Sequence, residues 1–204
     1  AGFRADLAPG ENQTLTLSGD IYDGAREDQF EFPPRVGDVE YSGGNLLTRW
    51  ARKLDGGSEL SVQAYYDHSK RLIPTTVFRE SRDIGDLDIQ HHLALNDQHT
   101  LVYGFNYRHS HDVTGEGPPF VFIFVPSTET LEFYGGFVQD QFALWEGSEL
   151  TLGGKFEHND YTGWEAQPNV RLGWQVSEDW FTWAAVSRAV RTPSRLDHDL
   201  ATFN

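Results

Sequence analysis

The sequence predicts an all-β fold, an antiparallel up-and-down transmembrane β-barrel present in part, with about nine to ten strands of a larger barrel. Three observations predict it. Apolar and polar residues alternate with period two along most of the 204 residues. Short polar turns alternate with long connections. Aromatic rings make up 14% of the chain although only 38% of it is hydrophobic and its mean hydropathy is -0.52. So many rings in so polar a chain suit strands that face two different media.

The strands follow in order. Residues 2–6 read as the tail of one strand. Leu15, Leu17, Gly19 and Ile21 interleave with Thr14, Thr16, Ser18 and Asp20. The stretch 45–54 carries Arg49, Arg52 and Lys53 on both faces, which leaves its register open. Leu60, Val62, Ala64 and Tyr66 make the next apolar face, then Leu87, Ile89, His91, Leu93 and Leu95, then Leu101, Tyr103, Phe105 and Tyr107. In 132–144, Asp140 is in phase with Tyr134, Val138 and Phe142, so either a bulge shifts the phase or Asp140 sits at a rim. Leu150, Leu152, Gly154 and Phe156 follow, and then Val170, Leu172, Trp174 and Val176.

Tight polar turns are expected at Asp55-Gly-Gly57, Asn96-Asp-Gln98, Glu146-Gly147 and Ser177-Glu-Asp179, with an earlier one at Pro9-Gly-Glu-Asn12. Long connections are expected at 24–42, 68–82, 111–129 and 160–166, with another beginning near Arg191. Short periplasmic turns alternating with long extracellular loops produce this asymmetry in a barrel, whereas a soluble sandwich spaces its turns more evenly and closely. Trp145 and Trp180 flank short turns, with Phe142 and Phe181 nearby. Tyr22, Tyr65, Tyr66, Tyr107 and Tyr161 fall at the other strand ends, so the rings are expected to form two interfacial girdles.

Composition excludes several classes. No run approaches the roughly 18 apolar residues of a membrane helix. A net charge of -15 disfavours nucleic acid as a partner. Cysteine is absent, which removes disulfides and thiol chemistry. No hydrolase, zincin or phosphate-loop motif occurs, so the chain is expected to be no enzyme and to need no cofactor. Without an initiator Met or a signal peptide, and with a loop-like last stretch, the chain is expected to be a fragment.

The stretch Phe137-Val-Gln-Asp-Gln-Phe-Ala-Leu-Trp145 resembles a strand of the TonB-dependent outer-membrane receptors. Leu150-Thr-Leu-Gly-Gly-Lys-Phe-Glu-His158, Gln167-Pro-Asn-Val-Arg-Leu-Gly-Trp174 and Trp183-Ala-Ala-Val-Ser-Arg-Ala-Val-Arg-Thr-Pro-Ser194 follow in the family's order and spacing. The resemblance is specific over 132–194 and generic before it. It implies a ferric-siderophore-type receptor in the outer membrane of a Gram-negative bacterium. Such a receptor has a barrel of 22 strands around an N-terminal plug that meets TonB. All of 1–204 would then belong to the barrel domain, with the plug and the closing strands outside it. The implied partners are outer-membrane lipid, TonB through the plug, and a small-molecule metal chelate.

Few residues invite a chemical role. His109 and His111 share a strand face and could share a metal, with His68 or Asp112 as a third ligand. Two solvated imidazoles at a loop base are the plainer reading. The run Thr114-Gly-Glu-Gly-Pro-Pro-Phe-Val-Phe-Ile-Phe-Val-Pro126 is apolar for a loop, which makes Phe120, Phe122 and Phe124 candidate substrate contacts. Two strands extending above the membrane account for it equally well. Acidic stretches at 27–31 and 83–88 could bind a cation on outer loops or simply be solvated. Asp20, Gln63, Asp88, Asn106, Lys155 and Arg171 are expected to face the lumen. Alternatives to an active-transport receptor are a passive porin or sugar channel and a soluble β-rich binding module.

Overall fold

The computed structural model describes residues 1–31, 34–74, 78–115 and 123–201. Ten strands form one antiparallel sheet in which each pairs with its neighbours in the chain. They are β1 (Gly2–Gly10), β2 (Gln13–Glu31), β3 (Pro34–Lys53), β4 (Glu59–Ile73), β5 (Phe78–Ala94), β6 (His99–Thr114), β8 (Thr128–Phe142), β9 (Ser148–Asn159), β10 (Gly163–Ser177) and β11 (Trp180–Ser187). Between β6 and β8 lies the short β7 (Ile123–Phe124), which pairs with β12 (Leu200–Ala201) beyond the one-turn helix α1 (Arg195–His198). The sheet does not close, so β1 and β11 each leave one edge unpaired. It is the up-and-down partial barrel that the alternation predicts.

Side chains of directly opposed residues lie on the same face, so the ladder sorts them. One face carries Leu17, Leu46, Val62, Ile89, Phe105, Val138, Leu152 and Val170, linked strand by strand through the pairings. The other carries Asp20, Gln63, Asp88, Asn106, Lys155 and Arg171, all six residues expected to face the lumen. Burial is inverted relative to a soluble protein. Among the described residues no apolar side chain is buried, whereas Asp112, Glu157, Asn159, Arg195 and Asp199 are. A soluble sheet would have to hide its apolar face; this one leaves Ile21, Phe156, Trp164 and Val170 open.

Rings mark the limits of the apolar face. At the short-turn end, Trp50 donates to Gln13 at 3.1 Å, Tyr103 packs against His91, and Trp145 meets Trp174 edge-on at 5.8 Å. At the other end Tyr134 stacks on His158 at 4.9 Å, and Trp164 closes on both edge-to-face. Trp164 and Trp174 lie on one strand and one face, with Ala166, Pro168, Val170 and Leu172 between them. At ~3.3 Å per residue and a tilt of ~40°, these rings stand ~25 Å apart along the normal, the height of the apolar band on membrane barrels.

Asp140 is resolved as a rim residue and not as a bulge. Its register runs unbroken, and its carboxylate meets His99 Nδ1 at 2.8 Å beside the ring of Phe142. Arg49, Arg52 and Lys53 also sit in unbroken register, Arg49 on the polar face between Thr16 and Gln63. Three expectations need correction. Tyr22, Tyr65 and Phe181 fall on the polar face and leave the girdles, because their parity opposes that of Ile21, Tyr66 and Trp180, and Tyr161 leaves them too, its hydroxyl turned to Asp199. Tyr22 instead covers Gly43, where an added Cβ would stand 2.6 Å from the phenol oxygen. The stretches at 24–42 and 68–82 are mostly paired strand, since β2–β3 and β4–β5 continue to Glu31↔Pro34 and Ile73↔Phe78. The connection expected at 160–166 is a tight turn, closed by Asn159 Oδ1 accepting from the Tyr161 and Thr162 N–H groups and by Gly163 at φ 73°.

The two-face assignment makes a sharp prediction. Val170→Arg, midway between the ring belts, should destabilise the complete barrel in lipid by about 2–4 kcal/mol. Asn169→Arg, one residue away on the polar face, should cost far less. Urea refolding into lipid vesicles measures both, and equal losses would contradict the assignment.

Candidate functional site

Beyond β11 the chain turns onto the polar face. The Arg188 N–H still bonds Pro168 O, but its guanidinium reaches Glu165 at 2.8 Å and the Ala166 carbonyl. Val190 N–H donates to Gln167 Oε1, and Thr192 and Pro193 lie over the wall formed by Asn106, Arg108, Ser110, Phe133 and Lys155. A cavity of about 410 Å³ is left between them. Its two cations are already paired, Lys155 with Glu157 at 2.5 Å and Arg108 with Asp86 at 2.9 Å. Lys155 also stands over the Phe133 ring at 5.2 Å. A mixed polar lining with both signs of charge and two rings, Phe133 and Tyr161, can recognise a polar ligand of moderate size.

The turn after Pro193 follows from local chemistry. Ser194 caps α1, accepting from the Asp197 N–H, while the Asp197 carboxylate accepts from the Ser194 N–H at 2.9 Å. Arg191 adds a third contact at 2.6 Å. The Ser194 N–H, then its hydroxyl, then Arg191 hold the Asp197 carboxyl at about 2, below the ordinary aspartate range.

Capping fixes α1 so that Arg195 points into the wall. Its side chain is 6% exposed, and Nη1 meets Asp112 at 3.1 Å while Nε meets Asp199 at 3.0 Å. Nη2 donates to the Pro126 carbonyl, and the Phe124 ring lies 5.2 Å from the guanidinium. Asp112 also accepts from Arg82 at 2.7 Å, and Arg82 reaches Glu80 at 2.5 Å. Asp199 further receives the Tyr161 hydroxyl at 3.0 Å and meets His198 Nδ1 at 2.7 Å. Burial would raise the Asp199 carboxyl, but the bonds from His198, Arg195 and Tyr161 outweigh it and hold it low. Burial, then the bond to Asp199, pushes the Tyr161 phenol up.

Phe124 lies at this cluster, with Phe78 at 6.0 Å; Phe120 and Phe122 lie outside the described residues. His109 and His111 share a face, as their spacing predicts, and it is the apolar one continued above the outer rings. His111 Nδ1 bonds Thr130 at 2.9 Å and His109 stands 3.7 Å from Glu132. His68 engages Asp83, and Asp112 lies on the opposite face with the arginines. Among the described residues no group of three or more His, Asp or Glu is arranged to hold a metal ion.

A sequence model of the TonB-dependent receptor-like β-barrel matches residues 2–202. The chain belongs to that family. Among solved structures it is similar to the alcaligin outer-membrane receptor FauA of Bordetella pertussis, with a TM-score of 0.59 at 13% identity over 87% of this chain. It is also similar to the siderophore receptor PirA of Pseudomonas aeruginosa, with a TM-score of 0.58 at 15% identity over 95% of this chain. The chain spans 32% and 41% of those two proteins' lengths. A sequence search of curated proteins finds no match.

Within this family member the Arg195 cluster was not legible beforehand, because Arg195 and Asp112 stand 83 residues apart. The one available signal was Pro193-Ser194 followed three residues later by Asp197, a helix-start pattern in what reads as a loop.

Acid should loosen this turn at a defined place. Asp197 and Asp199 both have folded values below the ordinary ~3.9, so their contribution is present above that range; it is lost on acidification below it, for Asp197 as pH falls toward about 2. Amide exchange over 194–199 in the solubilised receptor, corrected for intrinsic rates, should lose protection across that window. Protection lost instead between pH 5 and 7 would contradict the assignment.

Proposed function

We propose that this chain forms part of the wall of an outer-membrane receptor of a Gram-negative bacterium that takes up a metal chelate, such as a ferric siderophore, by active transport energised through TonB. Family membership over 2–202 is the observation that carries the reading. The exposed apolar face between ring belts supports a place in the bilayer, and the polar cavity under Thr192 and Pro193 supports a ligand entering from the outer end. These two similar structures are receptors, one described as an alcaligin outer-membrane receptor and the other as a siderophore receptor. TonB would be met through a plug domain, and Phe120, Phe122 and Phe124 would contribute ligand contacts. The polar face supplies charge and hydrogen bonds for binding and positioning, and no covalent step is needed.

Deleting the gene should abolish accumulation of one radiolabelled metal chelate under metal limitation, and the intact gene should restore it. Uptake should vanish equally in a strain without TonB. Uptake that persists without TonB would identify a passive channel, and unchanged uptake of every tested chelate would sink the receptor reading.

A further inference from the structure

Arg195 binds together stretches that are far apart in the chain. Its guanidinium touches β6 through Asp112, the turn after β7 through the Pro126 carbonyl, and its own segment through Asp199. Asp199 extends the contact to Tyr161 in the β9–β10 turn, and its carbonyl accepts the Val125 N–H at 2.9 Å. β7 and β12 then pair as a two-stranded sheet separate from the wall. We infer that the outer connections 123–127 and 188–201 and the β9–β10 turn are latched through Arg195 into one body, which covers the cavity beneath Thr192 and Pro193.

Two features make this a latch and not ordinary loop packing. Its centre is ionic and dry, with Arg195, Asp112 and Asp199 each no more than 6% exposed. Without Arg195, Asp112 keeps Arg82 and Asp199 keeps Tyr161 and His198, but the one group bonded to Asp112, Pro126 and Asp199 together is gone, so the stretches it joins come apart from each other. Among the described residues, Phe124 adds an apolar contact, its ring lying against the guanidinium and 6.0 Å from Phe78. The bonds that join the three stretches run through the charged set. Pro193 lies two residues before Arg195 and forms part of the cavity's cover, so undocking Arg195 uncovers the cavity. The coupling stands on these contacts and not on the import reading, and it can fail or hold independently of it.

Amide exchange on the full-length receptor in lipid nanodiscs tests the coupling. Arg195→Ala should speed exchange at both 123–125 and 195–201 by at least about tenfold, with Leu152 in the wall unchanged. Tyr161→Phe removes one hydroxyl that touches neither segment 123–127 nor Arg195, yet it should speed Val125 by about fivefold. Arg195→Lys, which keeps charge but loses the forked contacts, should fall between wild type and Arg195→Ala, and serves if Arg195→Ala does not insert. Loosening confined to 195–199, with 123–125 at the wild-type rate, would overturn the single body. This segment has no cysteine, so Ser110→Cys places a thiol in the cavity. Maleimide labelling of that thiol should accelerate several-fold when Arg195→Ala or Arg195→Lys is added, and an unchanged rate would overturn the cover.

Discussion

Unbroken cross-strand pairing of the backbone is the constraint on which everything else in this chain rests. No apolar core holds the sheet together among the described residues, so cohesion comes from the ladder and from side chains that meet across it. In the hydrocarbon layer each backbone N–H and C=O must find a partner within the protein. The ladder supplies these partners from β1 to β11, and its period of two then dictates that each strand offers one face to lipid and the other inward. A slip of one residue would exchange the faces, placing Asp20 and Lys155 where Ile21 and Phe156 stand. Strict register is therefore a condition of insertion as much as of shape.

That same period explains which parts of the fold could be read from sequence. Where a strand separates lipid from a wet interior, alternation is sharp, and β2, β4, β5, β6, β9 and β10 were legible. Above the outer rings both faces meet water and the pattern vanishes, so the upper halves of β2–β3 and β4–β5 looked like loops although the backbone stays paired. The Asn159–Gly163 turn carried its signal in Gly163, but the surrounding polar residues disguised it. Asp140 violated the pattern only until its partner was known, because a carboxylate beside His99 at the rim need not be desolvated alone. Of the outer-end cluster, the capping pattern around Ser194 could be read. The junction of Arg82, Asp112 and Arg195 could not, since the sequence does not encode which strand a returning loop will meet.

Polar burial and apolar exposure have different origins here. The exposed rings and aliphatic residues answer to the surrounding solvent, and their placement is a property of individual strands. The buried Arg, Asp and Asn side chains answer to each other, and they occur where a connection folds back and excludes water from the wall. Lys155 under Pro193, and Asp112 under Arg195, mark the footprint of that returning segment. Without Arg195 over it, the wall alone would leave the Asp112 carboxylate more open to water.

Each wall strand is paired with the wall strands before and after it in the chain, β6 and β8 across the connection that carries β7, with no crossover in the sheet order from β1 to β11. This has an evolutionary consequence. A pair of strands can be duplicated or lost without turning any other strand over, so barrel circumference can change while the sidedness of the outer connections is kept. Loss of a single strand would send all later connections to the opposite side of the membrane. Variation in such proteins is thus channelled into even steps of strand number and into the sequences of the outer connections.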